Sequence, residues 1–424
     1  MKPFAPSLPV GACGILMTDC TTADRSLADS RVDPAQLAPA TILLIEIALA
    51  AGGFGIGTGE FVIMGLLPEV ATTYQVSVPE AGNVISAYAL GVVIGAPIIA
   101  ALAAKLPRKT LLLMLMGLFA IGNFASAMAP GFLSFTALRF ITGLPHGAYF
   151  GVAALVAASM APPHRRVRAV GRVMLGLTIA TLIGTPIATF LGQMMSWRAA
   201  FFMVAAIAWL TVALIAIYLP RDEVAEGASI RRELSAFGRL QVWLSLAVAA
   251  VGFGGMFSIF SYIAKTTTDT AGLPTAMVAV VLALFGIGMN VGNVLGSRMA
   301  DYSLNGTIGG VLAFNVVLMA IFSLTAHNPV MLCICVFLTG CGFAACPAVQ
   351  TRLMDVAADA QTLAAATNHS AFNIANAIGA WLGGMVIAAG YGYGATGFVG
   401  AVLSALGLMI FLVSVALEKR TSRG

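Results

Sequence analysis

Twelve apolar stretches of twenty to twenty-nine residues, divided by short polar breaks, occupy most of this chain. A helix rises about 1.5 Å per residue, so about twenty apolar residues cross the hydrocarbon core of a bilayer. Read between charged or turn-rich breaks, the stretches lie at 41–67, 82–104, 110–129, 132–158, 169–191, 199–219, 242–264, 276–299, 306–326, 329–351, 361–389 and 394–417. Those at 41–67, 132–158 and 361–389 exceed a perpendicular crossing and imply tilt or extension beyond the membrane. Hydrophobic residues make up 59% of the chain and charged ones only 9%. That balance excludes an ordinary soluble domain, because so much apolar surface must face lipid. The expected fold class is an all-α polytopic membrane protein with twelve transmembrane helices.

The net charge of +5 could suggest nucleic acid, but its placement speaks for a membrane. Lys105, Arg108 and Lys109 fall between the second and third stretches, and Arg165, Arg166 and Arg168 between the fourth and fifth, with Arg172 at the head of the fifth. Arg221, Arg231, Arg232 and Arg239 fill the gap after the sixth, and Lys419, Arg420 and Arg423 form the tail. The alternate loops carry only Arg198 and Lys265. This is the positive-inside pattern, with both termini expected in the cytoplasm.

Cys333, Cys335, Cys341 and Cys346 all fall in the tenth stretch, which has no histidine or acidic partner for a metal. They read as small packing residues, and neither metal nor cofactor is expected. Residues 1–38 are polar, with "DCTTADRSLADSRVDPAQLAP", and read as a disordered cytoplasmic tail.

The chain repeats itself at a spacing of 197 residues. "RFITG" at 139–143 falls on "VFLTG" at 336–340, and Gly91 and Gly95 fall on Gly288 and Gly292. Two pseudo-symmetric six-helix bundles follow, at 39–220 and 242–418, joined by a cytoplasmic linker at 221–241 and followed by a short tail at 419–424. Parallel repeats of this kind rock around a site near the middle of the membrane.

The repeat fails at two charges: Arg139 falls on Val336, and Glu60 on Phe257. Each charge at bilayer depth costs about 2.5–3.5 kcal/mol on insertion scales unless it is offset or faces water. Helical rise puts Glu60 about 21 Å in from Glu46, and Arg139 about 12 Å below the opposite face. Both fall in the outer half of the membrane, lining one polar cavity. Burial raises a carboxylate pKa and a nearby guanidinium lowers it, so small rearrangements can switch such a group's protonation. Glu60 is thus the candidate proton carrier and Arg139 its modulator; the competing reading is a static ion pair that fixes helix register. His146, seven residues after Arg139, suits a proton relay or a packing role. Beside it Pro145 suggests a hinge, and Gly143, Gly147 and Gly151 a seam for close helix approach. The glycines at 53, 55, 57 and 59 follow no strand and precede no Lys-Ser/Thr pair, so they are read as packing rather than nucleotide binding.

In this order the motifs resemble the major facilitator superfamily, in particular its twelve-helix drug:proton antiporters and the arabinose and sugar efflux permease group. "GEFVIMGLLPEVA", "AYALGVVIGAP", "RFITGLPHGAYFG", "GLTIATLIGTPIATFLG", "SWRAAFF" and "SAFNIANAIGAWLGG" carry the likeness. The resemblance implies a proton-handling role for Arg139 and an antiporter-motif seam at Gly176, Gly184 and Pro186. The family's second loop reads Gly-x-x-x-Asp-Arg-x-Gly-Arg-Lys, whereas this chain has "AALAAKLPRK", with Ala104 at the aspartate. Lys105, Arg108 and Lys109 remain, and the corresponding later loop keeps Arg298 and Asp301. These residues are the expected gating loops, with the lock weakened on the first side.

Proton-coupled efflux of a drug, sugar or nucleoside across a bacterial inner membrane is the function these features favour. A facilitator or importer of the same fold is the alternative, and a polytopic membrane enzyme a minor one, since clustered acids or a nucleophile with its base are missing from the sequence. The expected partners are a small-molecule substrate, protons and the lipid bilayer, with no nucleic acid and a monomeric state. The expected cavity is bordered by Phe61, Met64, Tyr88, Tyr149, Phe150, Phe257, Tyr262, Phe285, Asn290, Phe372, Asn373 and Asn376, mostly apolar with some amides.

Overall fold

The structure, a computed structural model, describes residues 38–76, 78–222, 229–274, 276–358 and 360–421. The expected tail lies, up to residue 37, outside the described residues. Twelve described helices are long and apolar enough to cross a membrane. They are α1 (Pro39–Gly65), α2 (Asn83–Leu102), α3 (Arg108–Ala127), α4 (Phe132–Met160), α5 (Pro163–Met194) and α6 (Trp197–Tyr218), then α7 (Leu240–Thr270), α8 (Ala276–Tyr302), α9 (Leu304–Thr325), α10 (Pro329–Ala357), α11 (Gln361–Ala388) and α12 (Tyr393–Lys419). Every apolar stretch of the sequence falls on one of them. Three helices run well past their expected bounds: α5 begins at Pro163, α10 ends at Ala357, and α7 continues beyond residue 264 through "TTTDT", whose threonines return hydrogen bonds to the helix backbone.

Local chemistry sets several helix starts. Ser134 hydrogen-bonds Gly131 ahead of α4, Ser303 accepts from the Gly306 amide at the head of α9, and Asn328 accepts from Val330 and Met331 at the head of α10. Proline shapes one interior. Pro186 offers no amide to the preceding turn, and α5 takes up the mismatch as a π-turn at Ala180–Gly184. Large side chains such as Leu133, Ile98 and Trp381 remain exposed around the outside, as a lipid-facing wall requires.

The internal repeat is visible as repeated contacts. A Cβ on Gly91 would stand 2.2 Å from Phe140 O, and one on Gly143 2.3 Å from Tyr88 O. In the second half a Cβ on Gly288 would stand 2.1 Å from Phe337 O, and one on Gly340 2.3 Å from Phe285 O. Gly95 against Leu144 recurs as Gly292 against Cys341. Every partner is displaced by the same 197 residues. The α2–α4 crossing and the α8–α10 crossing are therefore two copies of one backbone-to-backbone contact, available only where no side chain intervenes.

The two halves meet along α5 with α8, and along α2 and α4 with α11. Asn290 and Thr178 exchange hydrogen bonds, Asn293 donates to Gly171 O, and Ser370 donates to the carbonyls of Val92 and Val93. Ala96, Ala100 and Ala101 pack against Leu363 and Ala366. These contacts fall on the portions of the helices nearest the basic loops.

Gly91→Val and Gly288→Val are each expected to cost about 1–3 kcal/mol in SDS-induced unfolding, from forced separation of the paired helices. Gly117→Ala is the control, since nothing lies within 4 Å of its added Cβ.

Candidate functional site

The glycines of α1 let α5 and α4 close onto it. A Cβ on Gly176 would stand 1.9 Å from Ala50 O, and one on Gly184 2.2 Å from Thr58 Oγ1. Gly52 faces Tyr149, whose hydroxyl donates to Leu49 O at 2.8 Å. Gly176 and Gly184 thus lie in the contact between α5 and α1, the helix that carries Glu60, and Pro186 stands two residues beyond the π-turn.

Arg139 is wholly buried. Its Nη2 donates to Gly59 O at 3.0 Å, and its guanidinium carbon lies 4.3 Å from the centroid of the Tyr88 ring. Nε and Nη1 have no hydrogen-bond partner. The arginine therefore makes no forked pair with Glu60, although the two charges are near enough to act on each other. The stack on Tyr88 and the bond to a backbone carbonyl hold the guanidinium instead.

Glu60 stands at the cavity wall with 13% of its side chain exposed. Its Oε2 is 4.0 Å from Nδ1 of His146, and that nitrogen is 3.0 Å from the Tyr88 hydroxyl. Glu60, His146, Tyr88 and Arg139 are thus brought into one chain of neighbours. His146 also faces His369 of α11, with ring centroids 5.4 Å apart, and Phe150 stacks on His369 at 4.5 Å. His369 Nε2 is buried without a partner.

Of the residues expected around the cavity, Phe61, Phe257, Phe285, Phe372, Asn373 and Asn376 line it. Tyr88 sits behind it, beneath Arg139 and His146, and Phe150 stands on the far face of His369. Tyr149 ties α4 to α1, Tyr262 donates to Ala380 O and ties α7 to α11, and Asn290 belongs to the α5–α8 contact. Met64 is exposed, outside that lining. Sequence reasoning missed His369 together with Met174, Leu177, Thr181, Phe253, Met256, Phe260, Met289, Phe343 and Cys346. The signal for His369 was present: it precedes Phe372, Asn373 and Asn376 by three, four and seven residues, one face of a helix. The result is a greasy, aromatic and thioether-lined chamber with one carboxylate, two imidazoles and two amides. Among the described residues no cluster of potential metal ligands occurs.

A second buried carboxylate, Glu46, pairs with Arg172 across α1 and α5. Of the expected gating-loop residues, Arg298 and Asp301 fall within α8 rather than on a loop, because the helix runs on to Tyr302; Asp301 Oδ1 accepts from the amides of Val167 (3.1 Å) and Arg168 (3.3 Å), and Oδ2 lies 3.2 Å from Arg168 Nε. Asp301 so joins the second half to the head of the main α-helical part of α5 in the first. Arg108 and Lys109 tie the head of α3 to the end of α6 and the start of the linker: their amides donate to Asp222, and Lys109 Nζ reaches the carbonyls of Ala216 and Leu219. Lys105 and Arg298 are exposed.

Residues 49–357 match the sequence profile of the Major Facilitator Superfamily. The chain belongs to this family: it is a multi-pass membrane transporter and not an enzyme. It is 38% identical to the inner membrane transport protein YdhP of Escherichia coli K12 over 88% of this chain and 97% of that protein. It is 32% identical to the chloramphenicol resistance protein of Streptomyces lividans, over 90% and 97% respectively. The fold also matches the proton:xylose symporter XylE, with a TM-score of 0.72 and 16% identity over 87% of this chain and 95% of that one.

Arg139→Lys is expected to lower thermal stability in detergent, because a compact ammonium forfeits most of the stack on Tyr88, worth about 0.5–2 kcal/mol. Tyr88→Leu in the Arg139→Lys background should then cost less than in the wild type, a double-mutant cycle that isolates the stack.

Proposed function

We propose that this chain is a proton-coupled antiporter of a bacterial inner membrane, exporting a small, largely apolar organic solute as protons move inward. The observation that carries the reading is Glu60, a carboxylate on the wall of an apolar chamber, beside a guanidinium bound elsewhere. A carboxylate without a clamped counterion is free to take a proton from one side and release it to the other as its surroundings change. His146 lies between Glu60 and Tyr88 and is the group through which the proton would reach the interior of α4.

On the positive-inside reading the basic loops are cytoplasmic; the inter-half contacts near them would then close the cytoplasmic end and leave the chamber to open outward. In that state Glu60 meets the proton source. Rocking of the halves would then expose it to the inside, where proton release accompanies solute loading. The names of two relatives support the membrane-transport part of this reading, one being an inner membrane transport protein and the other a chloramphenicol resistance protein. The phenylalanines and methionines of the lining suit an aromatic or aliphatic body, while the free nitrogen of His369 and the amides of Asn373 and Asn376 suit a hydroxyl or carbonyl group. The transporter is expected to work as a monomer.

Everted vesicles with an imposed pH gradient, screened with antibiotics, sugars and nucleosides, test the assignment. The wild type should dissipate the gradient when its solute is added. Glu60→Gln should abolish that response while the protein still inserts and binds solute; retained dissipation would move the proton role to another group. His369→Phe keeps the stack on Phe150 but removes the free nitrogen. It is expected to raise the half-maximal solute concentration about tenfold with coupling intact.

A further inference from the structure

The two halves repeat one another, yet the loop after the second helix of each does not. Asp301, in the last turn of α8 at the edge of the later loop, caps α5: it accepts from the second and third amides of the α-helical segment Arg166–Ile179. Its repeat counterpart, 197 residues earlier, is Ala104, which has no acceptor. The symmetric task would be to cap the head of α11, the fifth helix of the second half. That task is filled from elsewhere. Glu233 Oε2 accepts from the amide of Leu363, the third residue of α11, at 2.8 Å. Glu233 is buried although it belongs to the linker, on a short helical turn, Ile230–Leu234, that Ser229 caps. Three residues beyond that turn, Phe237 packs against the seam of Ala96, Ala100, Ala101, Leu363 and Ala366 where α2 and α11 meet.

We propose that the linker is a latch on the closed end of the transporter, with Glu233 replacing the carboxylate that position 104 lacks and Phe237 wedged over the α2–α11 seam. Asp301 holds the first half's α5 from the second half. Glu233 holds the second half's α11 from the segment that follows the first half. Opening this end separates α11 from α2, so the Phe237 contact breaks and the Glu233 cap must break or travel with one half alone. Burial pushes the Glu233 carboxyl above its ordinary range, and the Leu363 amide, the Thr362 hydroxyl and the guanidinium groups of Arg232 and Arg108 pull it back, so the cap favours the ionised form. The linker thereby weights the closed state without touching the chamber.

The test uses the full chain in nanodiscs, without its native cysteines and with spin labels at positions 105 and 298, exposed sites in the two halves at the closed end. Pulsed electron-spin distance measurements report the two end states and need neither solute nor proton gradient, so their outcome is independent of the antiport assignment. Glu233→Ala should raise the proportion of the longer-distance, open population by roughly 3- to 30-fold, the equivalent of losing one helix cap. Ala104→Asp in the Glu233→Ala background should restore the wild-type distribution by rebuilding the symmetric cap. That rescue separates a latch from a folding defect, which a new carboxylate on another loop would not repair. An unchanged distribution in Glu233→Ala, or a shift that Ala104→Asp does not reverse, overturns the proposal.

Discussion

A guanidinium with no exposure and no forked carboxylate partner sets the terms for the rest of this molecule. Leaving Arg139 in an apolar bundle costs about 2.5–3.5 kcal/mol on insertion scales. A stack on an aromatic face returns about 0.5–2 kcal/mol, and a hydrogen bond to a charged group about 1.5–3 kcal/mol. With Tyr88 and the Gly59 carbonyl in place, the penalty is nearly met locally. Glu60 is then not consumed as a counterion. It stays at the chamber wall, within the field of Arg139 and 4.0 Å from His146.

That arrangement depends on how closely the helices approach. Gly59 offers its carbonyl to α4 because α1 is built from glycines that admit neighbours to its backbone, and Gly176 and Gly184 bring α5 against the same helix. The repeated glycine contacts of α2 with α4 and of α8 with α10 give the halves a common frame. The charges break the symmetry. Phe257 lines the chamber opposite in sequence to Glu60, and Val336 is buried where Arg139 would be. One half thus supplies the charged machinery, while the other supplies aromatic walls, amides and His369.

The fold was legible because membrane crossing is a demand on uninterrupted apolar length, which a sequence states directly. The register of the two halves was legible for a related reason: Gly91 and Gly288 are small where backbones must touch. The site was legible only in part. Glu60, Arg139 and His146 stood out as polar groups in apolar surroundings, but nothing in their spacing told that Arg139 would turn to a carbonyl and a ring rather than to the carboxylate. Tyr149 and Tyr262 read as chamber residues because an aromatic on a spanning helix carries no sign of the face it takes; their hydroxyls instead tie helices together. His369 and Glu233 were hidden because each acquires its meaning from a segment distant in the chain, Phe150 for one and Leu363 for the other.

The central claim is that the Glu60 carboxyl changes its protonation within the range of pH that cells maintain. Infrared difference spectra of the reconstituted protein, taken between mildly alkaline and mildly acidic pH, observe this directly through the carbonyl stretch of a protonated carboxylic acid. The account predicts a band that grows on acidification and shifts in frequency in Glu60→Asp. A spectrum whose pH-dependent carboxyl bands are all unaltered by that substitution would contradict it.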